Sequence, residues 1–396
     1  MNTTTDPLAT LESILAWARS RDYCGYDYAD GLSSPLRERL PIQHDWVDIG
    51  IQEVAKRSPV NIRPLMGVPR RRSFKGTGLF IQANLLAYEA TGDVQYRAEA
   101  ARLGRWLWAS RRRNPFGWGH NHRLQTLSGP VERNTPSVVT VTYVTRGLLG
   151  LRAHEELVAV ETLGDNIKRL FLDHLTYTAS AEGATIEYRA GHRTEYTIVN
   201  ANALGASLLA ELGTVLGRAD LLDMSESLLR YVASTQSDRG GWYYADPPDA
   251  SHLSMDNHHN GFIIESLLRY RAVTGDSQFD SVIDRGITFY RDQLFSPSGA
   301  PHWDEQTAFP RDIHGAAQGI ITFAMVDDLD FARRIHAWTV EHLSADGVTF
   351  HFRRGRWWTN RTTLMRWCQA WMAMASAAVV DEKAFVRLPL GDEARI

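Results

Sequence analysis

The side chains best suited to chemistry stand in two copies of the short motif Asp-x-His. The copies are Asp256-Asn257-His258 and Asp312-Ile313-His314, and the second begins 56 positions after the first. Each copy lies where a polar loop turns into an apolar stretch, and His259 adds an imidazole beside the first. Carboxylates and imidazoles can exchange protons near neutral pH. The motif therefore predicts catalytic roles for these aspartates and histidines.

A simpler explanation covers the two aspartates alone. An Asp directly before a helix is a favoured N-cap, because its oxygen accepts hydrogen bonds from free backbone N–H groups. N-capping does not explain why His follows two residues later in both copies. Asp and His are also metal ligands, but the chain has no HExxH motif, no cysteine cluster and no clear third ligand. We therefore expect no metal and no other cofactor.

Aromatic loop residues are the first group of substrate-binding candidates. The chain has 12 tryptophans, and several stand in glycine-containing loops. Although buried core is the usual place for Trp, Trp242, Trp303 and Trp358 could each stack on a sugar ring. Tyr243 could relay a proton or contact a sugar, and a β-hairpin packing its aromatics is the alternative for this segment.

Charged loop residues are the second group. Hydrolysis of a glycosidic bond needs two carboxyl groups flanking it, and Asp256 and Asp312 are the favoured pair. Arg63 and Arg311 could clamp a carboxylate or phosphate of an acidic sugar, with a structural ion pair as the alternative for each. Asp27 stands in a Tyr- and Asp-rich segment that could drape over the mouth of a cavity, or simply form a turn.

The elements that must position these groups recur with a period of roughly 50–60 residues, which indicates a helical repeat. Charged amphipathic helices are predicted at 7–20, 94–111, 160–178, 218–236, 277–295 and 329–344. Apolar helices are predicted at 77–91, 137–151, 198–214, 258–273, 313–326 and 362–379. Alternation of six apolar with six charged helices predicts an all-α (α/α)6 toroid, a single domain over residues 1–396. Short β-hairpins are expected in the loops at one end.

Bulk composition excludes several classes of function. The formal net charge is −3, whereas a general nucleic-acid binder needs a basic face. With only two cysteines in 396 residues, the fold cannot depend on a framework of disulfide bonds. Neither a signal peptide nor a run of 18 apolar residues is visible, so we expect no membrane span and a cytoplasmic location. Oligomeric state is left open.

Five sequence blocks resemble a family of exopolysaccharide-cluster proteins of α/α-toroid type, some of which carry the label aminolevulinate dehydratase. The blocks are GYDYADGLSS (25–34), VNIRPL (60–65), MDNHHNGFIIE (255–265), RDIHGAAQGI (311–320) and NRTTLMRWCQAWM (360–372). One departure is His258-His259-Asn260, where the family has an aromatic-His-Thr sequence; it keeps His259. The resemblance implies an (α/α)6 toroid linked to polysaccharide synthesis or modification. More distantly, the repeat is similar to six-hairpin glycosidases.

Together these patterns predict a carbohydrate-active enzyme whose partner is a saccharide or glycan. Glycoside hydrolysis is slightly favoured, with Asp256 and Asp312 as the acid/base pair. Elimination or epimerisation at a uronate is the close alternative, in which Tyr243 or a histidine moves the α-proton and Arg311 neutralises the carboxylate. A non-catalytic glycan-binding or scaffold protein is the second class, since it would use the same aromatic cavity without turnover.

Overall fold

The computed structural model describes residues 6–39, 44–155, 157 and 159–390. Six inner helices are mostly buried on all sides. They are α4 (Phe74–Thr91), α6 (Val138–Leu151), α8 (Val199–Leu216), α10 (Asn257–Thr274), α12 (Ile313–Met325) and α14 (Trp371–Val380), the last extending a π-helical turn at Met365–Ala370. Each inner helix packs against the next, and α14 packs back against α4. The predicted all-α (α/α)6 toroid is confirmed.

Six outer helices surround this ring with one face buried. They are α1 (Pro7–Arg19), α5 (Val94–Ala109), α7 (Val160–Arg169, continued by a π-helical turn to His174), α9 (Ala219–Ser234), α11 (Asp280–Leu294) and α13 (Leu329–Leu343). Their apolar residues recur at helical spacing, so one stripe packs inward and the charged face meets water. Three further helices, α2 (Pro35–Arg39), α3 (Asp45–Arg57) and α15 (Glu382–Arg387), were not predicted.

Short antiparallel strands occupy the loops, as predicted. They are β1 (Arg112–Arg113), β2 (Phe116–Gly117), β3 (Leu124–Thr126), β4 (Gly129–Val131), β5 (Thr178–Ser180), β6 (Gly183–Thr185), β7 (Thr197–Ile198), β8 (Ala245–Asp246), β9 (Arg311–Asp312), β10 (Arg353–Arg354) and β11 (Thr359–Asn360). The strands β9, β10 and β11 form one three-stranded sheet. Because inner and outer helices alternate in direction, the inner helices all begin at one end of the ring. Loops that precede them collect there.

A buried network of four charges ties three inner helices together. Arg146 of α6 bonds Glu211 of α8 at 2.9 Å, and Arg269 bonds Glu265 at 2.7 Å, both on α10. The cross pairs, Arg146–Glu265 and Arg269–Glu211, are each 3.5 Å apart. Two positive and two negative groups neutralise one another where water is excluded, which makes each member costly to remove.

Helix α8 has the length and mean hydropathy, 1.2, of a membrane-spanning segment. However, 83 % of it is buried inside the ring, as befits a core helix. It is the one helix of this kind among the described residues. The extent of the domain over residues 1–396 stays a prediction.

Candidate active site at the inner-helix N-termini

Both predicted aspartates are N-caps of neighbouring inner helices. Asp256 accepts a hydrogen bond from the backbone N–H of His259 at 3.3 Å at the start of α10. Asp312 accepts one from the backbone N–H of His314 at 2.8 Å at the start of α12. The local explanation from capping therefore holds for both residues. Helix α10 packs against α12, which brings the two copies of the motif to one place in the ring.

In the first copy, one carboxylate contacts two imidazoles. The Nδ1 atom of His259 lies 2.7 Å from Asp256 Oδ2, and the Nδ1 atom of His258 lies 3.2 Å from Asp256 Oδ1. The two imidazole centroids are 3.9 Å apart. With Nδ1 of each ring facing the carboxylate, Nε2 is the nitrogen left to accept or deliver a proton.

In the second copy, the carboxylate is occupied by other partners. Asp312 accepts hydrogen bonds from Arg353 Nε at 2.5 Å and from Trp367 Nε1 at 2.8 Å. Neither ring nitrogen of His314 has a hydrogen-bond partner, although the side chain is buried. Asp312 therefore orients Arg353 and Trp367 rather than its own histidine. The second acid–imidazole couple expected from the motif is not formed.

The histidines of the two copies nevertheless meet. The rings of His258 and His314 stack, with centroids 4.6 Å apart and planes inclined by 24°. Trp367 lies edge-on to His314 at 4.4 Å, and Trp371 lies at 4.4 Å from it as well. Three imidazoles thus form a continuous row from His259 to His314, with an aromatic wall at the buried end.

Lys75 approaches the same aromatic wall from α4. Its amino group lies 4.8–5.2 Å from the rings of Tyr143, Phe262 and Trp371. Burial, followed by the positive charge of Arg366, lowers the pKa of Lys75 well below its ordinary value. A carboxylate of a bound ligand would raise this pKa again, because an opposite charge favours the protonated amine.

The protonation states of the row follow from burial and from mutual repulsion. Burial, then the neighbouring His259, lowers the pKa of His258 well below 6.5. Burial, then His258 and Lys75, does the same for His314. Burial alone would raise the pKa of Asp256, but the charges of His259 and His258 and the hydrogen bonds from His259 outweigh it and lower that pKa. Near neutral pH the site therefore holds a carboxylate beside neutral His258 and His314.

The N-terminal segment closes over the same region. Arg366, in the turn before α14, donates to both carboxylate oxygens of Asp27 at 2.8 and 3.0 Å. Burial would raise the pKa of Asp27, but the charge and hydrogen bonds of Arg366 lower it. Arg63 is buried and bonds Asp30 at 2.5 Å and the carbonyl of Asp27 at 3.1 Å. The predicted sugar contacts of Arg63 and Asp27 are replaced by ion pairs that hold this segment in place.

Of the aromatic side chains predicted to bind sugar, some lie in the hydrophobic core and others lie at the site. Trp242 is 1 % exposed and donates its indole N–H to the carbonyl of Val232, so that neither face is open to a ligand. Tyr243 packs partly buried against the core, whereas its neighbour Tyr244 lies 4.6 Å from the ring of His259. Trp303 borders the site, since the Arg353 guanidinium lies 4.7 Å above its ring.

Two other predicted contacts lie apart from the histidine row. Arg311 precedes Asp312 in β9, so the two side chains point to opposite faces of the strand. Its guanidinium lies over Phe309 and Trp338, at 4.9 and 5.3 Å. The structure does not bring Arg311 to the histidine row, and its predicted role as a clamp stays a prediction. Trp358 lies in a separate surface cleft described below.

Sequence reasoning missed several residues of the site. The predicted inner helix at 77–91 began too late to include Lys75, a lysine within an otherwise apolar helix start. Arg353 and Trp367 are close to Asp312 only through the fold. His120 and His122 lie in the loop before α6, 5.3 Å apart, and burial lowers the pKa of His122 to about 4. The alternating Gly-His-Asn-His pattern of that loop could have indicated these two histidines as site candidates.

The first copy of the motif also offers a possible metal-binding trio. Ligand atoms of Asp256, His258 and His259 all lie within 4.8 Å of one another. One carboxylate and two imidazoles suit a divalent transition metal. The same distances suit a hydrogen-bonded triad without an ion, so the expectation of no metal stays a prediction.

Comparison with known proteins identifies the fold. Neither a protein-family model nor a curated protein sequence matches the chain. Among solved structures, an unsaturated glucuronyl hydrolase from Bacillus sp. GL1 is similar over 93 % of this chain and 94 % of its own, at TM-score 0.58 and 13 % identity. Its described role is the degradation of glycosaminoglycan. The chain shares the α/α-toroid fold of these structures.

Enzymes of different chemistry share that fold. Cellobiose 2-epimerase from Bacillus thermoamylovorans is similar at TM-score 0.60 and 10 % identity, over 80 % of this chain and 90 % of its own. A polysaccharide lyase is similar at TM-score 0.54 and 12 % identity, over 79 % and 92 %. Because a fold hosts many reactions, these likenesses leave the choice of reaction to the geometry of the site.

Proposed function

We propose that this protein is a carbohydrate-active enzyme that transfers protons at a carbon of an acidic saccharide, as an epimerase or a lyase. The observation that carries the proposal is the contact of one carboxylate, Asp256, with Nδ1 of both His258 and His259. That arrangement fixes each ring and leaves Nε2 as the reacting nitrogen, which is the design of an oriented general base. The sugar-active enzymes that share the fold agree with a saccharide substrate.

Proton abstraction beside a carboxylate is the step that the site suits best. A neutral imidazole takes the proton on the carbon next to the sugar carboxylate, and the electron pair of that C–H bond moves toward the carboxylate. In epimerisation, a second group returns a proton to the opposite face of the same carbon. In elimination, the pair instead forms a C=C bond as the neighbouring C–O bond breaks, and the leaving oxygen receives a proton.

Several groups can serve these steps without a cofactor. His258 or His259 acts as base, and the stacked His314 or Lys75 acts as the second proton carrier. Charge that develops on the substrate carboxylate needs nearby donors. Lys75 and Arg353 can supply them. The aromatic rings of Trp303 and Tyr244 can pack against the sugar.

Hydrolysis by Asp256 and Asp312 receives less support from the geometry. Each oxygen of Asp312 already accepts a hydrogen bond from a side chain, Trp367 on one and Arg353 on the other. A general acid needs a carboxyl group that is free to hold and release a proton. Asp312 is therefore better suited to positioning its two partners than to proton transfer.

The cellular context belongs to the same proposal. The sequence blocks that resemble exopolysaccharide-cluster proteins support a role in polysaccharide assembly or modification. We place that role in the cytoplasm and in a single domain over residues 1–396, without nucleic acid as a partner.

Incubation of the protein with uronate-containing oligosaccharides in D2O tests the proposal, with products read by mass spectrometry and ultraviolet absorbance. Epimerisation replaces one carbon-bound hydrogen of the saccharide by deuterium and changes its mass in no other way. Elimination yields an unsaturated, ultraviolet-absorbing end, and hydrolysis adds the mass of water. Hydrolysis without deuterium incorporation at carbon would overturn the proton-transfer proposal, and binding without any product would favour a glycan-binding protein.

A further inference from the structure

A surface cleft lies beside the histidine site and is not part of it. The loop after α3 and the hairpin of β10 and β11 form its walls, and its volume is about 770 Å³. Most lining residues are polar, cationic or aromatic; the full set is Pro59, Val60, Asn61, Arg354, Gly355, Arg356, Trp357, Trp358, Thr359, Arg361 and Thr362. A cleft of this size holds a ligand of several sugar units rather than a single small ion.

All charged residues that line this cleft, called the hairpin cleft below, are positive. Three arginines line it, Arg354, Arg356 and Arg361, and no lining residue is acidic. The protein as a whole carries a formal net charge of −3, so this local excess of positive charge is not a general property of its surface. Planar guanidinium groups bind carboxylates through paired hydrogen bonds. The cleft therefore favours an anionic ligand.

Two adjacent tryptophans stand open to solvent in the same place. Trp357 is 86 % exposed and Trp358 is 48 % exposed. The Trp358 indole packs against Gly355, where any Cβ would collide with it, so the glycine leaves room for the ring at the cleft wall. The Arg356 guanidinium lies 5.1 Å from the Trp357 ring. Exposed apolar rings of this size are costly unless they meet a partner.

One strand connects the cleft to the histidine site. Arg353 and Arg354 are consecutive residues of β10, so their side chains point to opposite faces. Arg353 reaches Asp312 and Trp303 in the site, whereas Arg354 lines the cleft. The site and the cleft therefore lie on opposite faces of this strand, one residue apart along the chain.

We propose that the hairpin cleft is a second, non-catalytic binding site for an acidic polysaccharide chain. Its tryptophans stack on sugar rings, and its arginines pair with carboxylates on the same chain. The link to the histidine site rests on the proposed function, but binding in the cleft does not.

Calorimetric titration with a polygalacturonate oligomer tests the binding, using the Asp256→Asn variant to prevent turnover. The double variants Trp357→Ala/Trp358→Ala and Arg356→Ala/Arg361→Ala should each bind at least about tenfold more weakly, which corresponds to about 1.4 kcal/mol. Raised salt should weaken binding to the parent and have less effect on the arginine variant. The matched controls are Trp46→Ala, which removes a 65 % exposed tryptophan, and Arg230→Ala; neither residue lines the cleft.

Three results would overturn the proposal. The first is parental affinity in both double variants while their circular dichroism is unchanged. The second is equal binding of a neutral glucan of the same length. The third is tighter binding of a single-stranded oligonucleotide, which would identify a different class of anionic partner.

Kinetics distinguishes this proposal from the one on which its link rests. If the histidine site turns over acidic saccharides, the tryptophan double variant should raise KM for long chains, leaving kcat and the turnover of the shortest substrate unchanged. If no saccharide is turned over but the variants still lose affinity, the cleft proposal stands and the proposed function fails.

Discussion

The imidazole of His314 stacks on that of His258, with ring centroids 4.6 Å apart and planes inclined by 24°. Two protonated imidazoles at this separation repel one another in a buried place. Burial, then the neighbouring His258, accordingly lowers the pKa of His314 well below its usual value. Double protonation of the stack is therefore disfavoured, which suits a site in which one ring at a time takes up a proton.

Loss of the oriented base should abolish turnover while binding is retained. We expect Asp256→Asn, His258→Gln and His259→Gln each to lower kcat by about 10²–10⁴-fold on an active saccharide. The reason is that each variant removes either the reacting imidazole or the carboxylate that orients it. Initial rates and calorimetric affinity should be measured together. His252→Gln is the matched control, since His252 is exposed and makes no contact with Asp256.

The activity should persist to lower pH than an ordinary histidine would allow. The base must be neutral, and burial holds the pKa of His258 well below 6.5. As pH falls, the unprotonated fraction is therefore retained through 6.5 and is lost only in more acidic solution. A pH profile of kcat/KM checks this, and an acid limb centred at or above 6.5 would contradict the assignment of His258.

Asp312→Asn should lower activity because it displaces neighbouring side chains, and not because it removes a proton-transfer group. The substitution weakens the hydrogen bonds that position Arg353 and Trp367. We therefore expect kcat/KM to fall by about 10–100-fold, as is usual when a residue that positions catalytic groups is lost. The pH profile should keep its shape, because the base is intact. Disappearance of one limb of the profile would instead assign proton transfer to Asp312, as a hydrolase with two carboxyl groups requires.

The buried charge network should be far more sensitive than a surface pair. Glu211→Gln leaves Arg146 with too little negative charge nearby, and we expect a loss of about 3–5 kcal/mol in the free energy of unfolding. Glu226→Gln is the control, because its pair with Arg230 is 3.9 Å long and on the surface. The control should cost about 0–1 kcal/mol. Equal losses in urea denaturation would show that the network is not important to stability.

Acid should destabilise the fold through buried histidines. Burial lowers the pKa of His336 to about 4, from 6.5 in the unfolded chain. Above pH 6.5 neither state binds the proton; between 6.5 and about 4 the unfolded state binds it and the folded state does not. The free energy of unfolding therefore decreases as pH falls through that window, by about 1.4 kcal/mol per pH unit for this group.

His336→Leu should remove that contribution to the pH dependence. Denaturation curves at several pH values between 6.5 and 4 would measure the slope for parent and variant. An unchanged slope would mean that His336 is protonated in the folded protein, at its contact with Ser376 3.2 Å away.

The sequence determined the ring of helices and the two N-caps. Alternating charged and apolar helical patterns depend on which face each segment can bury, and that is a local property of the chain. Asp256 and Asp312 cap α10 and α12 because a short acceptor before a helix satisfies its first free N–H groups. The contacts of Asp256 with His258 and His259 are local for the same reason, as these residues lie within one turn.

The partners of the second aspartate, Asp312, come from distant parts of the chain. The imidazole of His314 makes no hydrogen bond to its carboxylate. Arg353 and Trp367 follow Asp312 by 41 and 55 residues, and the fold brings both to that carboxylate. The same holds for Lys75, which reaches the site from α4, and for the stacking of His258 on His314. Contacts between separate hairpins depend on how side chains fill the shared interior, and helical periodicity contains no information on that choice.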